Sequence, residues 1–492
     1  MSVSAPSAGA SEAYRLAQAG RVEEALARAE RAVAGARVCL PEHGFLASVL
    51  LRLGRVADAE EVVAQAVELA PGAADAYDGL AFVSMALGRH DRANALYRRA
   101  TEVAPQDPRF WYNLACSERS LGRLAAAEAA CDRAIALDAT QYPSYLLRSE
   151  LRVQSPQANH IAELRSQLAR PGLEHRARIF LGYALGKELD DIGQFDAAFQ
   201  SFAAAAEARR SRLAYDVATD ERKLARIAEV YPSELLARPA PRTAASQGAV
   251  DASRYVFIVG LPRSGTTLTE RILTGLAGAR SNGETDHFSR ALLAAARGEG
   301  DVFRRAAAAD TAEVAAGYAR LADPGVAAVR IIEKLPLNYL YVGAIHRALP
   351  EARILLVSRS PLDSCFAMYR TLFAAGYPFS YDLVQLARYY AAYAGLMNHW
   401  RSALCGRLHE IVYEELVREP RRVGAAVADY CGLAWSDAAV EIQNNRSVSL
   451  TASAAQVRRP IYGSSTGRWR HYRAHLGLLI DTLRAHGVAV DD

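Results

Sequence analysis

"VFIVGLPRSGTTLTERIL", residues 256–273, decides the fold of the second half of this chain. An apolar run, Val256 to Val259, reads as a buried strand, and an amphipathic helical pattern opens at Thr266. Between them Gly260 and Gly265 stand with four residues in between, the G-x-x-x-x-G frame of a phosphate-cradling loop. Such a loop ordinarily continues with a lysine that reaches the outer phosphates of a nucleoside triphosphate. Here that position holds Thr266. The backbone N–H groups of residues 263–267, at a helix start, still favour an anion. Thr266 and Thr267 add hydroxyl donors, and Arg263 adds a planar fork of donors. The loop therefore suits a compact anion held without magnesium better than it suits a nucleoside triphosphate.

Working outward, strand-like runs recur at Tyr255–Val259, Val329–Ile332, Arg353–Val357 and Leu408–Tyr413, separated by amphipathic helical stretches. Strands alternating with helices predict a parallel sheet covered by helices on both faces, with ligands at the carboxyl ends of its strands. Upstream, "ARPAPRTAASQGAVDAS" (237–253) has no apolar period and reads as a linker. The N-terminal part repeats: Gly20, Gly54, Gly88 and Gly122 are 34 residues apart. In phase with them stand Ala13, Ala47, Ala81 and Ala115, then Ala25, Ala59, Ala93 and Ala127, then Ala32, Ala66, Ala100 and Ala134. Pro71 and Pro105 close two of the repeats, and Gly193, Ala198 and Ala205 mark a further, degenerate one. Small residues let antiparallel helices approach, glycine permits the turn, and proline ends a helix.

At 492 residues the chain exceeds a single core. Its composition, 51% apolar and 23% charged, is that of a soluble globular protein, and a net charge of +4 is too small to imply nucleic acid. The first residues carry no signal-peptide pattern, and no apolar run reaches the roughly 18 residues of a membrane span. The six cysteines form no C-x-x-C pair, so a reduced, cytoplasmic chain is expected, with neither a disulfide scaffold nor a metal site. Of 58 basic residues only Lys187, Lys223 and Lys334 are lysine, which draws attention to Lys334.

These repeats resemble the tetratricopeptide repeat. "PRSGTT" after a strand is similar to the 5′-phosphosulfate loop of sulfotransferases that use 3′-phosphoadenosine 5′-phosphosulfate (PAPS). The resemblance places Pro262, Arg263, Ser264, Gly265, Thr266 and Thr267 on the cofactor. "RILLVSRSPLDSCFAMYR" (353–370) resembles the 3′-phosphate loop, with Arg359 as its arginine. Where the family has a serine eight residues on, this chain has Ala367, with Ser360 and Ser364 nearby. "ARSNGETDHF" (279–288) resembles the segment in which protein-tyrosine sulfotransferases carry a glutamate base, here Glu284. "EKLPLNYL" (333–340) resembles their K-x-P segment with Lys334, "IVYEEL" places Tyr413 on the cofactor, and "TASAAQVRRPIYGSSTGRW" (451–469) resembles the C-terminal lid with Ser453 and Arg468.

Taken whole, the chain resembles tetratricopeptide-containing bacterial sulfotransferases. The implied architecture is an all-α solenoid over 8–215, a helical extension and linker over 216–253, and an α/β P-loop-like sulfotransferase domain over 254–492. The implied reaction moves a sulfuryl group from PAPS to an acceptor hydroxyl and leaves the 3′,5′-bisphosphate, without metal. Glu284 is the base, and Arg263, Lys334 and Arg468 stabilise the leaving oxygen. The acceptor is a peptide or protein tyrosine held by the repeats, or else a carbohydrate or small molecule. The repeats could also pair two copies as a homodimer.

Bland alternatives stand beside these readings. Ala367 allows a decayed, non-catalytic scaffold, whereas a nucleotide kinase would need the missing loop lysine. Asp286 and His287 are alternative bases. His471 and His475, four apart with no H-E-x-x-H glutamate, read as a solvated helix face. The six arginines between Arg446 and Ile480 read as a cover over an anion. "GYPFSYDL" (376–383) either lines an acceptor pocket or caps a helix through Ser380 or Asp382.

Overall fold

The computed structural model describes residues 12, 15–16, 21–34, 40–53, 55–68, 73–238, 250–323, 328–373, 376–451 and 453–490. The chain divides into two compact units, Met1–Arg152 and Val153–Asp492.

The first unit is a run of helices: α1 (Val22–Ala34), α2 (Leu40–Arg52), α3 (Val56–Glu68), α4 (Ala74–Ala86), α5 (His90–Val103), α6 (Pro108–Ser120), α7 (Leu124–Leu137) and α8 (Tyr142–Leu151). Consecutive helices pack on one another, as a solenoid requires. The predicted small residues are its seam. Ala25, Ala47, Ala59, Ala66, Ala81, Ala93, Ala100, Ala115, Ala127 and Ala134 are all fully buried, because a methyl group is all that fits where two helices approach. Gly88 and Gly122 take φ of +72° and +79°, the left-handed turn that ends one helix and starts the next. Ala13, Gly20, Gly54 and Pro71 lie outside the described residues.

The second unit opens with α9 (Ile161–Leu168), α10 (His175–Asp191), α11 (Phe195–Arg210), α12 (Val217–Val230) and α13 (Ser233–Leu236). A parallel sheet follows: β1 (Tyr255–Gly260), β2 (Ala279–Ser281), β3 (Arg330–Glu333), β4 (Arg353–Ser358) and β5 (Leu408–Val412), in the order β2-β3-β1-β4-β5. The intervening helices are α14 (Thr266–Thr274), α15 (His287–Ala295), α16 (Val302–Ala307), α17 (Thr311–Ala322), α18 (Val342–Ala348), α19 (Pro361–Tyr369), α20 (Leu383–Ala403), α21 (Tyr413–Arg418) and α22 (Pro420–Tyr430), with α23 (Gly477–Ala485) near the C-terminus.

β1 is buried along its whole length because both of its faces are covered. Val256 and Ile258 pack with Ile272 of α14 and Val427 of α22. Phe257 points the other way, edge-on to Phe288 of α15 at 5.7 Å and tilted on Tyr318 of α17 at 5.4 Å. Sheet order departs from chain order around β1, whose neighbours are β3 and β4, so the loop after β1 sits at the topological switch point. The four predicted strands are present within a residue of their expected ends. β2 escaped prediction because "ARS" carries no apolar run: it is a short, half-buried edge strand.

A solenoid over residues 8–215 was expected, and the compact units divide within that span, after Arg152. α10 and α11 keep the repeat's register, with Ala198 and Ala205 buried and Gly193 at φ +78°. Their outer surface, however, packs on the sheet domain. Tyr183 donates to the Tyr369 carbonyl at 3.2 Å, and Phe199 stacks on Tyr369 at 6.0 Å. Repeat periodicity reports how a hairpin closes on itself, not what it packs against. Of the predicted linker, residues 239–249 lie outside the described residues. No described helix is long and apolar enough to cross a membrane.

Candidate active site

The loop after β1 folds as its glycines dictate. A Cβ on Gly265 would lie 2.3 Å from the Tyr413 ring, at a φ of +108°, so only glycine lets the loop close against that ring. α14 begins at Thr266, and the N–H groups of its first turn have no helical carbonyl to bond. Ser264 is buried and donates to the Leu261 carbonyl at 2.7 Å, which tightens the bend. Arg263 is held in the left-handed region at φ +67°, an uncommon conformation for a residue with a Cβ. Its Nη1 donates to Ser453 Oγ, and its Nη2 to Gln456 Oε1 at 2.8 Å. Thr267 Oγ1 lies 3.5 Å from Thr451 Oγ1. The C-terminal segment is thus tied across the loop through Ser453, Gln456 and Thr451.

Arg359 follows β4, the neighbour of β1 in the sheet. Its Nη1 donates to the Arg263 carbonyl at 2.8 Å and its Nη2 to the Ser465 carbonyl at 2.5 Å. The guanidinium lies over the Tyr413 ring at 4.8 Å, and the Tyr413 hydroxyl bonds Ser465 Oγ at 2.6 Å. Burial lowers the pKa of Arg359, and its buried Nε has no partner among the described residues. A cavity of about 90 Å³ beside it is lined by Leu261, Ser264, Arg359, Ser364, Tyr393 and Arg401 among others. Ala367 is buried on α19, and Ser364, one turn earlier, is the hydroxyl that lines this cavity.

Lys334 follows β3. It is fully buried, donates to Glu284 Oε1 and lies 3.8 Å from Glu270 Oε2. Glu270 is on α14, one turn beyond Thr266, so the Lys334–Glu284 pair adjoins the start of the loop's helix. Ser281 donates to Glu270 Oε1 at 2.5 Å and fixes that carboxylate. The alternative bases are occupied differently. Asp286 is exposed, 3.8 Å from Arg290. His287 Nδ1 lies 3.9 Å from Glu333 Oε2, a carboxylate buried beneath the site and bonded by Asn338 at 3.1 Å. Burial raises the Glu333 pKa to about 7, and burial lowers that of His287 to about 4.

"GYPFSYDL" caps a helix, one of its two expected roles. Asp382 caps α20, accepting from Val384 and Gln385 N–H at 3.0 and 2.9 Å. Ahead of it, Tyr377 at φ +50° joins an aromatic run with Phe373 at 4.7 Å and Phe379 at 6.0 Å, and Phe379 stacks on Tyr389 at 3.5 Å. Burial and then the charge of Glu284 raise the pKa of the Tyr377 phenol, so this run borders the candidate base.

Arg468 stands apart from the expected cluster. Its guanidinium bonds Asp190 of α10 rather than the loop, with Nη2–Oδ2 at 2.7 Å. His471 is exposed, as a solvated face requires, and lies against Phe195 at 4.3 Å, while His475 is partly buried and stacks on Phe199 at 4.5 Å. Among the described residues no group of three His, Cys, Asp or Glu side chains could hold a metal ion. Sequence reading missed Gln456, Glu270, Asp190 and Asp363. Only Glu270, one turn along the loop's own helix, carried a findable signal.

Comparison with known proteins follows this division. A profile of the sulfotransferase family matches residues 255–437, and one of the tetratricopeptide repeat matches 11–74 and 83–142. An uncharacterized protein of Aquifex aeolicus (strain VF5) is 29% identical over 338 residues, 66% of this chain and 44% of that protein. The chain thus spans less than half the length of this relative. A putative protein-tyrosine sulfotransferase of Caenorhabditis briggsae is 25% identical over 194 residues, 37% of this chain and 67% of that protein. The sulfotransferase domain of the Synechococcus PCC 7002 olefin synthase has a similar solved structure, at 20% identity and a TM-score of 0.35, covering 52% of this chain and 96% of that one. The chain thus carries a segment, residues 255–437, that matches the sulfotransferase family, behind repeats that match the tetratricopeptide repeat.

Proposed function

We propose that this protein transfers a sulfuryl group from PAPS to an acceptor hydroxyl. The observation that carries the reading is the loop itself. It lacks the triphosphate-binding lysine, its one arginine is bonded to Ser453 and Gln456, and a buried lysine paired with a carboxylate adjoins its helix.

The residues present fit such a donor. Gly265 leaves a cradle that a Cβ would fill, and Arg359 keeps a buried Nε without a partner. Gly265, Thr266 and Thr267 N–H groups, with the threonine hydroxyls and Arg263, hold the 5′ end together with Pro262 and Ser264. Arg359, Ser364 and Tyr413 hold the 3′ side. Bound PAPS supplies an activated sulfuryl group. Glu284 accepts the proton of the acceptor hydroxyl, contributing roughly 10²–10⁴-fold. Lys334 orients that carboxylate and, with Arg263, places positive charge where negative charge grows on the leaving oxygen.

The acceptor most in keeping with the site is a tyrosine hydroxyl on a peptide. The aromatic run at Tyr377 beside Glu284 supports it, as does the relative named a putative protein-tyrosine sulfotransferase. The repeats would recruit the protein that bears it, in the cytoplasm.

The test is calorimetric titration without metal, with adenosine 3′,5′-bisphosphate and in parallel with ATP. Binding of the bisphosphate alone supports the reading. Binding of ATP alone, or of neither, overturns it. Transfer of labelled sulfur from PAPS to tyrosine peptides then addresses the acceptor.

A further inference from the structure

One buried carboxylate outside the sheet domain's own motifs organises cations beside the proposed donor site. Asp190, on the last turn of α10, is buried. It receives Arg370 Nη1 at 2.6 Å, Arg468 Nη2 at 2.7 Å and Nε at 3.1–3.2 Å, and the hydroxyl of Tyr472. Burial alone would raise its pKa, but Arg370 and Arg468 together hold it below the usual carboxylate range.

Both arginines belong to the neighbourhood of the 3′ loop. Arg370 ends α19, the helix that opens just after Arg359, and the two guanidinium charges oppose one another. Arg468 is flanked by Gly467 and Trp469, whose N–H groups donate to Asp363 at 2.6 and 3.3 Å. Asp363 in turn lies 3.9 Å from Arg359.

Two guanidinium groups on one carboxylate leave a surplus positive charge. A purely structural staple needs one arginine, and a second, partly desolvated, is costly unless an anion also uses it. We propose that Asp190 is a positioning residue of the donor site, holding Arg370 and Arg468 as a cationic pair directed at the 3′-phosphate. The helical hairpin that the repeat register assigns to the solenoid thereby supplies part of donor recognition. This inference rests on the donor reading above.

The test compares adenosine 3′,5′-bisphosphate with adenosine 5′-monophosphate by calorimetry, using the full chain and its Asp190→Asn variant. The expected result is a bisphosphate affinity lower by about 10- to 100-fold, the worth of a charge-assisted hydrogen bond or two, with monophosphate binding unchanged. General loosening of the fold would weaken both ligands alike, and with an unchanged preference the proposal fails. If the wild-type chain does not bind the bisphosphate, the donor reading fails first and takes this one with it. Should Asp190→Asn not fold, Arg370→Gln and Arg468→Gln each remove a cation instead. Each is expected to lose the same preference, and retention of it in both overturns the proposal.

Discussion

Lys334 donates a hydrogen bond to Glu284 across 50 residues of sequence, from a fully buried ammonium to a carboxylate that is 40% exposed. The exposed partner can meet an acceptor, and the buried one cannot leave. Glu284→Gln is expected to lower turnover by roughly 10²–10⁴-fold while bisphosphate affinity stays as it was. Equal losses in both would make Glu284 a binding residue instead. Lys334→Met strands Glu284 beside Glu270 and is expected to cost roughly 2 kcal/mol of stability, allowing for the exposure of Glu284. A thermal melt of each variant checks this.

Gly265 is where the loop's geometry is most demanding, with φ at +108° and the Tyr413 ring where a Cβ would go. Gly265→Ala should destabilise the protein by about 2 kcal/mol and abolish bisphosphate binding. Adding Tyr413→Ala removes the collision but not the backbone strain, so stability should recover only in part. Full recovery would mean that the left-handed conformation is not required.

Arg263 joins the loop to Ser453 and Gln456 through a planar fork. Lysine keeps the charge but cannot make both bonds. Arg263→Lys is therefore expected to weaken bisphosphate binding by about tenfold or more. Hydrogen exchange at residues 453–458 should also quicken. Unchanged exchange would show that the segment is held by other contacts.

Glu333 and His287 give opposite pH dependences. Burial raises Glu333 from an ordinary 4.5 to about 7, so its contribution to stability is full at low pH and is lost as pH rises through 7. Burial lowers His287 from 6.5 to about 4, so its contribution is full above 6.5 and is lost as pH falls through 4. Between pH 5 and 6.5 the two oppose each other. Glu333→Gln should therefore leave a protein that gains stability as pH rises across this window. His287→Gln should leave one that loses it, each by up to ~2 kcal/mol across this window. Denaturant unfolding at several pH values reads both slopes, and parallel profiles for the two variants would refute the assignment.

Much of this protein follows from local rules that its sequence alone determined. The repeat register predicted which alanines would be fully buried, because close helix approach tolerates only small side chains at fixed spacing. Four of the five strands were legible as apolar runs, and the loop as glycines around a strand end. The segments bearing Arg263, Glu284, Lys334 and Ser453 were legible too, and the fold joins them in two pairs, Lys334 with Glu284 and Arg263 with Ser453. Tertiary structure alone decided the rest. Arg468 was drawn to Asp190, a carboxylate 278 residues away in sequence, because a partly buried guanidinium takes whichever acceptor the packing presents. β2 formed without an apolar run because an edge strand needs only a neighbour's hydrogen bonds. The division after Arg152 follows from Tyr183, Asp190 and Phe199 on the outer surface of α10 and α11, whose partners lie far along the chain. Periodicity encodes which face of a helix is buried, and only the folded chain supplies the surface that buries it.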